Sequence, residues 1–175
     1  MTGKTFLNRV ANNGRTDVVA LLLSLLKQTG ADYCVIGGLA VNAYAEPVVS
    51  LDLDLVVITN KIQALCEAAS ARGIRIERFE HSVNLTVPAS DLRIQLQTDP
   101  RYQEFIPRAV QHNVLGYRMA VAALEDVLAG KVWAYHDQQR RKSKRQKDLA
   151  DILRVVETHP ELKDRLPPEI ESQVE

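Results

Sequence analysis

The strongest periodic signal in the chain lies at residues 50–58 (SLDLDLVVI), where apolar and acidic residues alternate before the sequence becomes continuously apolar. This pattern predicts a strand with one polar face and one buried face. Upstream, the apolar run at residues 18–26 predicts a helix over about residues 17–29, with Thr16 as its N-cap and Gly30 just past its end. Because that run is apolar on nearly all sides, we expect the helix to be buried.

Further elements follow from the same periodicities. In chain order they are a strand at 32–36, a helix at 39–45, a helix from Asn60 to about Arg72, strands at 74–79, 83–87 and 92–98, a helical stretch at 102–110, a strand at 114–121, and helices at 124–136 and 143–158.

The order of these elements decides the expected fold class. Helices and strands alternate at first, but the later strands follow one another as in hairpins, which argues against a purely parallel, doubly wound sheet. We therefore expect an α/β (α+β) fold with a mixed-sheet core, residues 1–122, and a helical C-terminal region, residues 123–175, packed on that core. The Pro-punctuated acidic end from Pro160 is expected to dock on a partner or to fray.

The amino-acid composition narrows the class of protein further. The chain has 175 residues, 46% of them hydrophobic and 25% charged, with no net charge. This is ordinary globular composition, so a disordered or histone-like protein is excluded. The longest apolar run is far below the roughly 20 residues that span a bilayer. The two cysteines lack zinc-site spacing, and we expect a cytoplasmic protein with no membrane contact.

Candidate chemistry begins with Asp52 and Asp54. Two residues apart on a strand, their carboxylates lie on one face while the intervening leucines point to the other. Paired carboxylates repel each other and suit a hard cation such as Mg²⁺. A solvated strand face with two aspartates of no special function would give the same pattern.

Gly37 and Gly38 follow the predicted strand at 32–36 and open the next helix. Glycines at such a turn let backbone N–H groups approach a phosphate, although a plain tight turn has the same sequence. Thirteen residues lie between Gly38 and Asp52. That length allows one short helix and a return, so the glycines and the aspartates can meet at one end of the sheet.

The segment GGLAVNAYAEPVVSLDLDLVV resembles the signature of the nucleotidyltransferase superfamily that includes DNA polymerase beta. The chain as a whole is similar to the bacterial minimal nucleotidyltransferases grouped with AbiEii-type toxins. Its helical region supports this resemblance with Lys131-Val-Trp-Ala134 and Lys147-Asp148-Leu-Ala-Asp151. The resemblance covers roughly residues 31–157.

The resemblance implies a metal-dependent transfer of NMP from an NTP to an acceptor, which is an RNA or tRNA end, a protein or a small molecule. It also implies a possible toxin function with an antitoxin partner. The residues implied to bind the nucleotide are Gly37, Gly38, Ser50, Lys131, Lys147 and Asp151. Asp52 and Asp54 are implied to hold catalytic Mg²⁺.

The sequence departs from the superfamily at the third carboxylate, which lies on a later strand. Here that strand reads DLRIQLQ, and Gln95 takes the acid's place with Arg93 beside it. An amide oxygen can contact a metal but brings no charge and cannot serve as a carboxylate base. The alternative is therefore a catalytically degenerate binding or regulatory protein on the same fold.

One basic block precedes the last long helix. Its residues are Arg140, Arg141, Lys142, Lys144 and Arg145. The block is compatible with contacts to an RNA backbone or a triphosphate, and equally with a solvated loop. Just after it, Lys147 and Asp151 have the i, i+4 spacing of a pair within one helix.

Overall fold

The computed structural model describes residues 4, 5, 9 and 16–174, so most of the first 15 residues of the predicted core lie outside it. The helices are α1 (Val18–Thr29), α2 (Gly37–Val41), α3 (Ile62–Ala71), α4 (Leu124–His136), α5 (Lys142–Thr158) and α6 (Pro168–Glu171). The strands are β1 (Tyr33–Ile36), β2 (Asp52–Val57), β3 (Arg75–Arg78), β4 (Ser82–Thr86), β5 (Arg93–Gln97), β6 (Val110–Val114) and β7 (Tyr117–Val121). Short 3-10 helices occupy Thr59–Lys61, Pro100–Arg108 and Pro160–Arg165.

Within the described residues the strands form one mixed sheet in the order β3-β4-β5-β2-β1-β7-β6. β2 is parallel to β5 and antiparallel to β1, and β1 is parallel to β7. The outer pairs are antiparallel hairpins. The succession of short strands predicts the pairing of β3 with β4 but not the hairpin of β6 and β7. The predicted mixed-sheet α/β class is confirmed.

The first helix differs from the prediction at its N-terminus. Asp17, not Thr16, is the N-cap, and its Oδ1 accepts a hydrogen bond of 2.9 Å from the backbone N–H of Ala20. Asp17 is one residue closer to the helix than Thr16. Its carboxylate therefore accepts from the backbone N–H of Ala20, which has no partner within the helix. Gly30 ends the helix with φ of 61°, a left-handed conformation that suits glycine.

Three other predicted boundaries are wrong for local reasons. The strand predicted at 114–121 is a hairpin, because Leu115 and Gly116 take positive φ and reverse the chain between β6 and β7. The helical stretch predicted at 102–110 is a 3-10 helix over Pro100–Arg108, in which Pro107 removes an internal backbone donor, and Val110 already belongs to β6. Asn60 lies within a 3-10 turn and caps no helix.

The helical C-terminal region contacts the core region through α2. α4 packs against α5, and both contact α2. The end after Pro160 does not fray, because Leu162, Leu166 and Ile170 are buried in the hydrophobic core shared by both regions. The division into residues 1–122 and 123–175 stays a prediction.

Candidate active site

Asp52 and Asp54 project from β2 on one face of the sheet. The intervening Leu53 and the following Leu55 are each 1% exposed and belong to the core on the other face. This alternation fixes the orientation of both carboxylates, because a slip of one residue would bury the aspartates and expose the leucines. The backbone therefore holds two acidic side chains together at the edge of a cleft.

Gly37 lies against Asp54 at the start of α2. It has φ of 73°, and any Cβ there would overlap the carboxylate of Asp54. Ile36, the last residue of β1, is the register partner of Asp54. The turn after β1 thus packs directly on the acidic side chain, as the spacing between the glycines and the aspartates predicts.

Gly38 and Ser50 form the next part of the cleft wall. The hydroxyl of Ser50 accepts a hydrogen bond of 3.2 Å from the backbone N–H of Asp52, which fixes the entry into β2. A Cβ on Gly38 would lie 4.0 Å from the Ser50 Oγ and 3.9 Å from an oxygen of Asp151. A methyl group would fit at these distances, so nothing packs tightly against Gly38 on this side of the cleft.

β5 supplies the opposite side of the site. Its register places Gln95 beside Asp54 and Arg93 beside Asp52. Arg93 Nε lies 2.6 Å from Asp52 Oδ1, and Lys144 Nζ lies 3.6 Å from Asp52 Oδ2. The charge of Asp52 is thus balanced within the protein, whereas Asp54 has a neutral amide as its neighbour.

The environment of Asp54 makes its negative charge costly. Burial raises the pKa of Asp54 to about 6. The nearby charge of Asp52 adds to this shift, while the cations of Lys131, Arg140 and Lys144 oppose it. A hard cation beside Asp54 would offset the desolvation and the repulsion together.

The donor set fits a metal ion that is shared with a substrate. Among the described residues no group of three or more His, Cys, Asp and Glu side chains converges as a closed metal cage. Mg²⁺ in phosphate-handling sites takes one or two carboxylates and completes its shell with water and substrate phosphates. Asp52 and Asp54, with the amide oxygen of Gln95 next to them, match that incomplete set.

Lys131 is the centre of a buried ion-pair network on the helical side. Its Nζ lies 2.9 Å from Asp148 Oδ1 and 2.7 Å from Asp151 Oδ2, and Arg140 Nε lies 2.6 Å from Asp148 Oδ2. Burial disfavours the charge on Lys131, but Asp151 and Asp148 outweigh it, so the pKa of Lys131 lies above its ordinary value. The lysine is therefore held charged at the wall of the cleft.

The predicted pair of Lys147 and Asp151 is wrong. Asp151 pairs with Lys131 and, at 3.4 Å, with Arg154. Those partners come from a neighbouring helix and from the next turn of α5. Lys147 stays exposed and lines the cleft.

The basic block does not form one surface. Arg140 binds Asp148, Lys144 faces Asp52, and Arg145 Nε donates to the backbone oxygen of Tyr135 at 2.6 Å. Arg141 and Lys142 are exposed at the start of α5, and Arg140 is exposed as well although it binds Asp148. The block thus serves the site and the helix packing rather than a single outward patch.

These elements enclose a polar cleft of about 350 Å³. Lys131, Arg140, Lys144 and Lys147 form its basic wall, and the two aspartates lie at its edge. It extends over β5, β4 and β3, where Glu77, Asn84 and Thr86 line it as well. The sequence analysis missed these three residues, although the alternation of the strand at 83–87 places positions 84 and 86 on one face.

The fold and the paired aspartates define a nucleotidyltransferase-like protein, and comparison with known families agrees. Residues 21–171 match the family described as "Nucleotidyl transferase AbiEii toxin, Type IV TA system". The chain therefore belongs to the AbiEii nucleotidyl transferase family, and the resemblance seen in its sequence is confirmed.

Solved structures share the fold at low sequence identity. The antibiotic-resistance factor ANT(2'')-Ia, in complex with adenylyl-2''-tobramycin, has a TM-score of 0.62 and 14% identity over 90% of this chain and 94% of its own. The lincosamide adenylyltransferase LnuA has a TM-score of 0.54 and 12% identity over 81% and 98%. An antigenic nucleotidyltransferase-like protein from Paracoccidioides brasiliensis has a TM-score of 0.52 and 21% identity over 89% and 83%.

No curated protein sequence is similar enough to this chain to count as a relative. In the described part of the chain, no helix has both the length and the apolar character needed to cross a bilayer.

Proposed function

We propose that this protein is an enzyme that transfers an NMP group from an NTP to an acceptor. The observation that carries the proposal is the pair Asp52 and Asp54, held on one strand face between the Gly37–Gly38 turn and a basic wall. The family and the fold support a nucleotidyltransferase. The use of a metal ion, of an NTP and of an acceptor by this site is what we propose.

Asp52 and Asp54 would hold Mg²⁺, and the ion would neutralise the phosphates of the substrate and stabilise the charge that develops during the transfer. The environment of Asp54 supports this role, because a desolvated carboxylate beside a second one gains from a cation. Arg93 and Lys144 already neutralise the negative charge of Asp52. The site therefore needs less additional positive charge from a metal ion.

The chain's own residues would position the triphosphate. Gly37 packs directly against Asp54, and Gly38 and Ser50 line the cleft on the same side. Lys131 has three N–H donors, two of which face Asp148 and Asp151, so its ammonium is fixed at the cleft wall. Lys144 and Lys147 add positive charge on the same wall, and Asp151 acts by holding Lys131.

The reaction class follows from this arrangement. An acceptor hydroxyl forms a bond to the α-phosphorus of the NTP, the bond from that phosphorus to the β-phosphate oxygen breaks, and pyrophosphate leaves. Gln95 can hydrogen-bond the attacking group beside Asp54 but cannot remove its proton. The proton therefore passes to solvent or to a phosphate oxygen.

The family description also supports an inference about the biological role of the protein. We infer a toxin-like protein that works in the cytoplasm and is restrained by an antitoxin protein. The acceptor is an RNA or tRNA end, a protein or a small molecule. Arg141 and Lys142 are exposed members of the basic block that do not bind Asp148, and they can contact an RNA backbone.

The test is transfer of label from NTP. Each NTP labelled at the α-phosphate is incubated with Mg²⁺, the protein and total RNA or cell extract, and the same NTP labelled at the γ-phosphate is run in parallel. The proposal predicts covalent label from the α-phosphate only, lost in the folded variants Asp52→Asn and Asp54→Asn. The matched control, Asp164→Asn, changes an exposed aspartate outside the cleft and retains transfer. Undiminished transfer by Asp52→Asn would reject the proposed site.

One observation favours a second candidate, a catalytically degenerate binding protein. Arg93 and Lys144 occupy both oxygens of Asp52, and position 95 carries an amide instead of an acid. Under this alternative, wild type transfers no label, and Gln95→Asp gains divalent-metal affinity and transfer. If wild type transfers label and Gln95→Asp adds nothing, the alternative fails.

A further inference from the structure

The two strands at the edges of the sheet differ in character. β3 and β6 are the outermost strands of the sheet. β3 carries Arg75, Glu77 and Arg78 among its four residues, and charged side chains commonly protect a sheet edge against pairing with another chain. β6 reads Val-Gln-His-Asn-Val and has no Lys, Arg, Asp, Glu or Pro. The edge formed by β6 therefore lacks the residues that keep other strands away.

Two residues of β6 direct their backbone groups away from the sheet. The two-residue turn at 115–116 has positive φ at both positions, so Val114 and Tyr117, which close it, exchange backbone hydrogen bonds. Hydrogen-bonded and non-hydrogen-bonded pairs alternate along an antiparallel ladder. The backbone N–H and C=O groups of Gln111 and Asn113 therefore point away from β7, towards the open edge.

A contact on the other side of β7 agrees with this alternation. Ala120 is the ladder partner of Gln111, and its N–H donates to Tyr33 Oη at 3.3 Å, away from β6. Gln111 and Asn113 are both exposed. In the described part of the chain no hydrogen bond reaches their outward N–H and C=O groups. The β6 edge thus presents a row of backbone donors and acceptors to solvent.

The sequence of β6 matches itself when two copies run antiparallel. About an axis at His112, Gln111 of one copy faces Asn113 of the other, and Val110 faces Val114. Each facing pair of Gln111 and Asn113 is then a hydrogen-bonded pair, and the two such pairs supply four backbone hydrogen bonds. Amides face amides and valines face valines, so no pair of like charges opposes the contact. A second copy of the chain is therefore a matching partner for this edge.

Other registers of the two copies lose these bonds. A shift by two residues in one direction brings Asn113 opposite Ala109, whose N–H is already bonded within its own chain. The same shift in the other direction brings Gln111 opposite Leu115, which lies in the turn with φ of 54°. A shift by one residue pairs outward groups with residues that already bond to β7. The backbone therefore favours the register centred on His112.

Val110 gives the β6 edge an apolar component. Its exposure is 47%, and it lies on the same face of the strand as Val114, which is 3% exposed. In the register centred on His112 each Val110 packs against Val114 of the other copy, in a non-hydrogen-bonded pair whose side chains approach closely. The pairing thus covers an exposed valine at both ends of the contact.

We propose that two copies of this chain associate through β6, antiparallel about a two-fold axis at His112, and join their sheets into one. Such a contact uses the same surface on both copies, so it closes as a dimer and leaves no free β6 edge. None of the described residues that line the cleft at Asp52 and Asp54 belongs to β6 or β7, so both clefts stay open. The dimer goes beyond the proposed function and does not depend on it.

Cysteine cross-linking tests the register. His112→Cys places two thiols opposite each other in a non-hydrogen-bonded pair with a Cα separation of about 4.5 Å, which a disulfide can bridge. Gln111→Cys is the matched control, because the two 111 positions lie about 8 Å apart across the axis, beyond the reach of a disulfide. Cys34 and Cys66 are buried and stay in both variants.

The oxidant is copper phenanthroline, and dimers are followed on non-reducing gels. We expect the disulfide-linked dimer to form at least about tenfold faster in His112→Cys than in Gln111→Cys. Random collisions would favour the control, because Gln111 is exposed and His112 is only half-buried. The comparison therefore separates a defined pairing from chance contact.

Sedimentation velocity tests association without a new cysteine. A contact through five residues of each copy is at the weak end of protein interfaces, so wild type is measured at about 5 to 500 μM. We expect a monomer–dimer equilibrium within this range. Gln111→Pro removes an outward N–H that takes no part in the β6–β7 ladder, so the hairpin keeps its bonds while the dissociation constant rises at least about tenfold. Gln111→Ala keeps that donor and should stay within about threefold of wild type.

Two results together support the dimer, namely preferred cross-linking of His112→Cys and association that Gln111→Pro weakens but Gln111→Ala does not. Equal or faster cross-linking of Gln111→Cys overturns it. A wild type that stays monomeric over the whole range also overturns it and leaves the β6 edge to a strand of another protein. Association that Gln111→Pro leaves unchanged overturns it as well, because another surface then holds the copies together. Gln111→Pro should transfer label from NTP as wild type does, so failure of the dimer and failure of the proposed function are distinguishable.

Discussion

Lys131→Met removes the cation at the centre of the buried network, and it should destabilise the fold strongly. The side chains of Lys131 and Asp148 are only 8% and 1% exposed, and that of Asp151 is 8% exposed. Breaking a buried ion pair costs about 3–5 kcal/mol, because the remaining charge is left in a medium that solvates it poorly. Here Arg140 still faces Asp148 and Arg154 still faces Asp151, so we expect about 2–4 kcal/mol.

This magnitude is measurable in two ways. For a domain of this size, about 3 °C per kcal/mol converts the loss into a Tm lower by roughly 6–12 °C. Urea unfolding followed by circular dichroism gives the free energy of unfolding directly. Lys163→Met, an exposed lysine near the C-terminus, is the matched control and should stay within about 0.5 kcal/mol of wild type.

A double-mutant cycle tests the cause. Asp151→Asn combined with Lys131→Met should recover part of the loss, with a coupling free energy of about 1–3 kcal/mol. If Lys131→Met lowers stability by less than about 0.5 kcal/mol, the same as its control, the reasoning about the buried network is wrong. Lys131 would then act on the nucleotide alone.

Three shorter predictions concern the carboxylates. Without metal, Asp54→Asn should raise the free energy of unfolding by about 1–2 kcal/mol at pH 8, less than the full two-unit shift because the side chain is only partly buried. Because the pKa of Asp54 in the folded state is raised to about 6, the gain in the free energy of unfolding should disappear as the pH falls from 6 towards 4. Urea unfolding measured at each pH gives this dependence. Gly37→Ala should lower the Tm more than Gly30→Ala, since both have positive φ but only Gly37 adjoins Asp54; equal losses would refute the contact. Arg93→Gln should tighten Mn²⁺ binding to Asp52 several-fold by calorimetry, and an unchanged affinity would contradict the competition between arginine and metal.

Local patterns in the sequence predict the core of the fold well. The alternation at Asp52 and Asp54 places both carboxylates on one face, because a strand has a period of two. The helix Leu124–His136 has the predicted bounds. The hairpin at Leu115–Gly116 was missed because the strand before its two-residue turn, Val110–Val114, is mostly polar and exposed, so only the residues after the turn read as a strand.

The contacts that decide the site's chemistry lie beyond local patterns. Arg93 reaches Asp52 only through the parallel pairing of β2 and β5, and that register depends on the whole sheet. Lys147 and Asp151 have a favourable helical spacing, yet Lys131 from another helix binds Asp151. Asn84 is one amide in a strand, and its unpaired oxygen becomes visible only when its surroundings are known.

Thermal unfolding with each NTP and Mg²⁺ would show whether the cleft is a nucleotide site. A ligand at about 100 times its Kd stabilises the native state by about 2.7 kcal/mol, which corresponds to a Tm increase of about 5–10 °C here. We predict this increase for wild type and for Asp164→Ala, and its loss in the Asp52→Ala/Asp54→Ala double variant or when Mg²⁺ is omitted. An equal increase in the double variant, or none in wild type with any NTP, would contradict a metal-dependent nucleotide site at these aspartates.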